Sequence, residues 1–452
     1  MLKQSLRILP WLVLMLLIAG CGSGATPMSV PPMDDMGAQA VPTAPPPEST
    51  LPPTAKPSPT MDASIAGDTW VKTYGGDHNA VSGDMLQTDD GGYLIVGTAN
   101  LQWEPEQLGD VYLIRTDPAG EVLWEKTYDR AGYSMGQGIA RADDGTLLIS
   151  GVTSSSGDAQ DLDGFLLNVD QEGNELWYKT YGGPLDEYLG GLAPAAGGGY
   201  ILGGISVDPD DFIADPGAAG YGGLEGRSNL YVVRVDDEGN ELWSRRYESE
   251  NNIMGSGAAC TEDGGFLVLA AITYFPDPDD DILLLKLDAD GNEVWSRLWE
   301  EGKSNPHDLI QTSDGNYLIS ASYAPLEGAE ESKEDFYFIK VDPQGKEIWS
   351  TIFGEPDMID YGVVLAEAAD GGFVAVGERT RDHRTRETDI VIAKIDENGN
   401  LLWDRSTPAS HTMFSSMQRH PDDGFVVLGG MFMGSRFEIL LAKTDSEGNV
   451  EE

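Results

Sequence analysis

Beyond residue 68 the hydrophobic positions come in short dense runs rather than in long amphipathic stretches. Tyr93-Leu94-Ile95-Val96 and Phe425-Val426-Val427-Leu428 are apolar throughout, the pattern of strands covered on both faces. Groups of Asp and Gly punctuate these runs. In one stretch, 138–142 leads to the turn Asp143-Asp144-Gly145 and then to 146–152; after a loop come 164–169, the turn 170–173 and 175–181. Asp bonds its own backbone at the start of a type I turn, and Gly takes the left-handed position that closes a short hairpin. Each such stretch predicts four short antiparallel strands.

The stretch recurs. Trp70, Trp124, Trp177, Trp243, Trp295, Trp349 and Trp403 stand 52 to 66 residues apart. Gly120, Gly173, Gly239, Gly291, Gly345, Gly399 and Gly448 each follow an Asp by three residues, and all but the last precede a Trp by four. A period near 53 marks a repeat architecture. Six of the seven units also carry Asp-Gly at their first turn, whereas the third has Gly197-Gly198-Gly199. The chain ends just past the last D-x-x-G turn, so the seventh unit lacks a Trp strand, while 68–74 is a Trp strand without partners. The expectation is an all-β, seven-bladed β-propeller of four-stranded antiparallel blades over 68–452, its ring closed by the N-terminal strand completing the last blade.

The D-x-x-G-[NEK]-x-x-W unit resembles the repeats of the PQQ-like (quinoprotein-type) β-propeller superfamily and of bacterial surface lipoproteins that carry such repeats. That resemblance implies the fold; the superfamily includes dehydrogenases and binding scaffolds alike, so it leaves the chemistry open. The quinoprotein enzymes would carry a vicinal disulfide against the cofactor. Here Cys260 is the only cysteine outside the N-terminal segment, so no PQQ is expected.

The N-terminal segment adds a location. Lys3 and Arg7 precede an apolar run over 8–19, shorter than the ~20 residues a membrane-spanning helix needs. Its end, Leu17-Ile18-Ala19-Gly20-Cys21, resembles the bacterial lipobox, which implies a signal peptide over 1–21 and lipidation of Cys21. Eleven prolines fall between Pro27 and Pro59, and no aromatic residue occurs between Trp11 and Trp70. Residues 22–67 therefore read as a disordered tether, with a reach of about 140 Å if extended as polyproline II. The expected location is extracytoplasmic, lipid-anchored at the cell surface or outer membrane.

Charge narrows the partners. The 452 residues hold 76 acidic and 28 basic side chains, a formal charge of −48. Nucleic acid is excluded as a partner, because its counterions must be replaced by Lys and Arg. Twelve of the bases are fixed by the repeat. Lys72, Lys126, Lys179, Arg245, Arg297 and Arg405 stand two residues after a Trp; Arg115, Arg234, Lys286, Lys340, Lys394 and Lys443 stand two before a turn Asp. They read as cross-strand partners on the outer strands. The aromatics four residues after Trp, Tyr74, Tyr128, Tyr181 and Tyr247 among them, read as packing between blades.

Strand parity separates the two ends of the ring. The short turns share one end. The loops between second and third strands share the other with the crossovers between blades, and this variable end carries the length differences where binding resides. The candidate binding residues lie there: Asp208, Asp210 and Asp211 in the long third-unit insert, Asp277, Asp279, Asp280 and Asp281 in the fourth, and the basic group Arg379, Arg381, His383, Arg384 and Arg386 in the sixth. The aspartate run could supply oxygen ligands to Ca²⁺, though it reads first as a solvated loop. The basic group could meet an anion, or pair locally with Glu378, Asp382, Glu387 and Asp389. His78, His307 and His411 are assigned to crossovers, and Asp279, Asp281, His78 and His411 are the metal-ligand candidates. No nucleophile elbow occurs, and Cys260 sits in an apolar run as a buried thiol. The reading is a monomeric, non-catalytic binding or scaffold module that offers a protein, glycan or cation an acidic face. The alternative is a carbohydrate-active hydrolase or lyase, or a degenerate quinoprotein, on the same ring.

Overall fold

A computed structural model describes residues 69–102, 108–130, 132–154, 162–195, 197–208, 227–274, 280–300, 302–325, 333–355, 357–380, 387–410, 412–434 and 436–450. They form seven four-stranded antiparallel sheets. In six of them the four strands follow one another in sequence. The seventh has the order that the chain ends require, with Trp70–Tyr74 pairing Phe437–Thr444 as its outermost strand. The architecture is a seven-bladed β-propeller closed by its own N-terminal strand. Apart from the strands, the only regular element among the described residues is a single 3₁₀ turn, Gly76–His78.

Burial follows the position of each strand. The second strand of blade 2, Leu147–Ser154, is buried throughout, whereas its outer strand, Glu175–Tyr181, keeps most of its side chains at least partly exposed. The cores lie between blades: Leu94, Val111 and Leu113 of blade 1 pack with Ile139, Leu147 and Phe165 of blade 2. Each fully buried aliphatic side chain of this kind contributes about 1.5–3 kcal/mol.

The repeated residues join each blade to the next. Trp70, Trp124, Trp177, Trp243, Trp295 and Trp349 lie on the turn glycines of the following blade, Gly120, Gly173, Gly239, Gly291, Gly345 and Gly399. A Cβ on any of these glycines would stand within 2.9 Å of the indole, and each already has a positive φ, so both space and backbone require glycine. Tyr74, Tyr128, Tyr181 and Tyr247 donate their hydroxyls to the carbonyls of the same four glycines at 2.6–2.8 Å. The bases two residues after Trp reach that turn as well: Lys72 meets Glu121 at 2.6 Å and Lys126 meets Asn174 at 2.8 Å.

The other set of bases corrects the cross-strand expectation. Arg115, Arg234, Lys286, Lys340, Lys394 and Lys443 do face a partner across the strands, but that partner is the Trp of the same blade. They are buried, and their charges run along the third strand to the first turn. Arg115 meets Asp90 at 2.6 Å, Lys286 Asp263 at 2.7 Å, Lys340 Asp314 at 2.8 Å, Lys394 Asp370 at 2.7 Å and Lys443 Asp422 at 2.6 Å. In blade 3, whose turn has glycines instead, Arg234 donates to backbone oxygens of Tyr200, Val235 and Gly198.

Candidate functional site

The innermost strands run longer than their apolar residues suggest. That of blade 2 is Ser134–Arg141, and that of blade 5 is Lys303–Gln311, so His307 lies on an inner strand and not in a crossover. A register shift explains both differences. All seven inner strands are irregular at the same height, at 82/85, 136/138, 188/191, 255/257, 306/308, 361/364 and 414/416. A bulge interrupts the alternation by which a strand is recognised and re-aims the side chain it carries.

Two carboxylates stand at the bulge, Asp84 within it and Asp308 directly after it. Asp84 accepts its neighbour's Met85 N–H at 2.7 Å and the Ile139 N–H of blade 2 at 3.4 Å. Asp308 repeats the arrangement between blades 5 and 6, with Leu309 N–H at 2.8 Å and Leu365 N–H at 2.9 Å. Each carboxyl thus ties one inner strand to the next. Burial pushes Asp84 up to about 7 and Asp308 up to about 6, and Asp308 adds a smaller upward push on Asp84. Blades 1 and 5 are three steps apart around the ring, so the two groups sense each other across its centre.

At the variable end the third strands open with a polar residue that itself belongs to the repeat. Asp110, Asp163, Asn229, Asp281, Asp335, Asp389 and Glu438 each stand five residues before the position of the buried base. Part of the acidity at this end is therefore periodic, a regularity present in the repeat and masked in the sequence by the differing lengths of the loops before it. Asn100, at a left-handed φ of 57°, links His78 to Asp110 through contacts of 3.1 and 2.7 Å. Asp163 neighbours Glu187, which accepts Gly183 N–H at 2.9 Å and faces Arg246 at 3.6 Å. Glu438 pairs with Arg436 at 2.8 Å.

Arg379 is the centre of the densest of these clusters. Its Nε donates to Asp360 Oδ1 at 2.5 Å, and its Nη1 lies 3.1 Å from Glu355 and 3.5 Å from Asp404. It is 2% exposed and Asp360 is fully buried. The carboxylates hold the guanidinium above its usual range against the opposing effect of burial. Arg379 is thus committed inward, to acids other than the four neighbours that proximity in sequence suggests. The adjacent Glu378 faces the other side of the strand, takes the Tyr361 hydroxyl at 3.1 Å, and is pushed by burial up to about 8.

The remaining candidates divide by location. Asp280 accepts the Thr273 hydroxyl and Asp281 is buried at the start of its strand. Asp208 ends the second strand of blade 3. Cys21, Asp210, Asp211, Asp277, Asp279, Arg381, His383, Arg384, Arg386 and His411 lie outside the described residues. Among the described residues no group of three or more His, Cys, Asp or Glu side chains is arranged to hold a metal ion. Cys260 is buried, its thiol directed at the Pro194 carbonyl at 3.1 Å.

No family profile matches the chain, and no curated protein does. Solved structures of similar shape include a protein of unknown function from Dyadobacter fermentans, with 10% identity, a TM-score of 0.44, and coverage of 83% of this chain and 97% of that one. An ulvan lyase of polysaccharide lyase family 25 has 8% identity and a TM-score of 0.49, covering 83% and 96%. A puromycin-hydrolysing peptidase of Mycobacterium tuberculosis has 12% identity and a TM-score of 0.49, covering 82% of this chain and 52% of its own. At these values the likeness carries no argument about activity, and the class of the protein, a seven-bladed propeller, rests on its own sheet topology.

Proposed function

We propose that the chain is an extracytoplasmic lipoprotein, anchored through Cys21 and held off the membrane by residues 22–67, whose propeller is a non-catalytic module binding basic protein segments at its variable end. One observation carries this reading. At the turn end five acids are matched by buried bases at 2.6–2.8 Å, whereas among the described residues of the variable end carboxylates gather around few cations, four of them within reach of Arg379. Such a surplus attracts cationic partners over roughly a Debye length, about 8 Å at physiological salt. The resemblance to PQQ-like surface lipoproteins supports the location and the scaffold role; the lone Cys260 speaks against a quinone cofactor.

The test is calorimetric titration of the full chain with a lysine-rich decapeptide at 50 and 300 mM NaCl. Binding that weakens at least tenfold between the two supports the reading. No heat at 50 mM, or binding indifferent to salt, overturns it. Cys21→Ala is expected to move the protein out of the membrane fraction.

A further inference from the structure

One seam of the ring lacks a part that the repeat supplies elsewhere. Four places after the blade tryptophan stands Tyr74, Tyr128, Tyr181, Tyr247, Trp299 or Phe353 in six blades, and Thr407 in blade 6. The register makes these places equivalent: Thr407 lies opposite Ile390 on the third strand as Tyr128 lies opposite Val111 and Tyr247 opposite Leu230. The four tyrosines are buried, whereas Thr407 is exposed.

The missing ring uncovers the strand beneath it. Ile390 and Ile392, which face Thr407 and Arg405 across the strands, are half-buried. In the other six blades both equivalent residues are buried, as with Val111 and Leu113 or Leu230 and Val232. The far wall is the Gly448 turn of blade 7. A Cβ on Gly448 would stand 2.9 Å from Ile392 Cγ2 and 3.6 Å from the Trp403 indole, whereas in the other seams the indole is within 2.9 Å. Arg405 fills the place of the repeated base, reaching Glu447 O at 2.9 Å and Asn449 at 2.6 Å. Four seams also have a tyrosine hydroxyl on the carbonyl of the turn glycine; with Thr407 in that place, no such bond reaches Gly448 among the described residues.

We propose that the seam between blades 6 and 7 is a notch for a tyrosine side chain of a protein partner, its ring on Ile390, Ile392 and Trp403 and its hydroxyl donating to the Gly448 carbonyl. The ligand chemistry is read from the fold, because the chain's own tyrosines make this contact in four other seams. Burial, with the turn acids adding to it, keeps those hydroxyls protonated above their usual range. The Gly448 turn likewise carries Asp445 and Glu447, so a neutral phenol fits where an anionic ring would be repelled, and a tyrosine flanked by Lys or Arg complements the surroundings. The segments adjoining this seam outside the described residues, 381–386, 411, 435 and 451–452, hold no Phe, Tyr or Trp, and neither does 12–69. One ring and one hydrogen bond hold a free phenol only with a Kd on the order of millimolar. The tyrosine therefore belongs to a polypeptide whose other contacts add to the affinity. The notch lies at the outer strands and does not rest on the acidic variable end.

The experiment is NMR of the full chain labelled at isoleucine δ1 methyls, with the Ile390 and Ile392 signals assigned by Ile390→Leu and Ile392→Leu. N-acetyl-tyrosinamide should shift both signals, and N-acetyl-phenylalaninamide should need about fivefold more ligand, the worth of the hydroxyl. N-acetyl-leucinamide and N-acetyl-phosphotyrosinamide should leave both signals in place. A pentapeptide with tyrosine between two pairs of lysines should act at lower concentration than N-acetyl-tyrosinamide. Thr407→Tyr should fill the notch from within, abolish the shifts and raise the urea midpoint, while Thr407→Ala should keep them. No shift with N-acetyl-tyrosinamide, equal shifts with the leucine or phosphotyrosine compound, or undiminished shifts in Thr407→Tyr overturns the proposal. A pentapeptide no tighter than N-acetyl-tyrosinamide overturns the polypeptide source. The contrast between the capped amino acids decides even if Thr407→Tyr folds poorly. Those probes carry no lysine, so their result and that of the lysine-rich decapeptide fail independently.

Discussion

Trp70 lies on Gly120, a contact between the last blade and the first that joins the two ends of the ring. Tyr74 donates to the Gly120 carbonyl at 2.8 Å and Lys72 meets Glu121 at 2.6 Å in the same turn. Trp124 on Gly173 is the same contact between blades that also follow one another in sequence. Trp70→Ala and Trp124→Ala should therefore each cost about 2–4 kcal/mol in urea denaturation, somewhat below the range for fully buried Trp because both rings are partly exposed. Their local effects should differ. Trp70→Ala should speed amide exchange in the first and last blades, while Trp124→Ala should leave the last blade protected. Equal exchange patterns would mean that the N-terminal strand does not latch the ring.

Arg379 and Asp360 form the most deeply buried ion pair described, 2.5 Å apart. Arg379→Met leaves Asp360 without its cation among several further acids, and should cost about 3–5 kcal/mol. Adding Asp360→Asn should recover part of that loss, so the double variant should be more stable than Arg379→Met alone. Additive losses would show that the two residues act separately. Because the guanidinium is enclosed, no anionic ligand should depend on it.

The seven-fold ring, the four strands per blade and the closure were legible because Trp, turn Asp and turn Gly recur at fixed offsets, and those residues proved to be the joints between blades. The variable end was legible as a place but not as chemistry. Arg379 stood beside four loop residues in sequence, yet its partners Asp360, Glu355 and Asp404 are 19, 24 and 25 residues away; a charge run says nothing about which members turn inward. His307 was hidden differently. Pro306 and the bulge break the period-2 pattern over Lys303–Gln311, so a paired inner strand resembled a loop. The acids opening the third strands were periodic all along, but their register shows only when the units are counted back from the buried base.

Titration should give stability a maximum on the acid side of neutrality. Asp84 and Asp308 bind protons more tightly folded than unfolded, with values of about 7 and 6 against 3.8. Their contribution is fully present below about pH 4 and is lost as the pH rises through 6 and 7. Asp90 and Asp422, held near 2 by hydrogen bonds and by Arg115 and Lys443, act in the opposite sense. Their contribution is present above pH 4 and is lost as the pH falls toward 2. Urea midpoints should peak near pH 4–5 and decline on both sides. A midpoint that rises steadily from pH 4.5 to 8 would contradict the burial of the inner-strand carboxyls.

The first turn of blade 7 offers the sharpest contrast between neighbours. In five other blades the left-handed residue of this turn is Gly91, Gly145, Gly264, Gly315 or Gly371, directly after the turn Asp. In blade 7 that place is taken by Asp423, at a φ of 69°, while Asp422 holds the buried Lys443. The Asp-Gly pair that the sequence displays here, Asp423-Gly424, is therefore one residue out of register with those blades. Asp423→Gly relieves a left-handed side chain and forfeits only an exposed pair with Arg419, worth ~1 kcal/mol at most. Greater freedom of glycine in the unfolded chain offsets part of the relief, leaving a net gain of about 0.5 kcal/mol. Asp422→Ala instead leaves the Lys443 ammonium buried without its carboxylate and should cost about 3 kcal/mol or more. Denaturation of the two single variants decides the register: opposite signs at adjacent aspartates confirm it, and a loss at both places the structural Asp elsewhere.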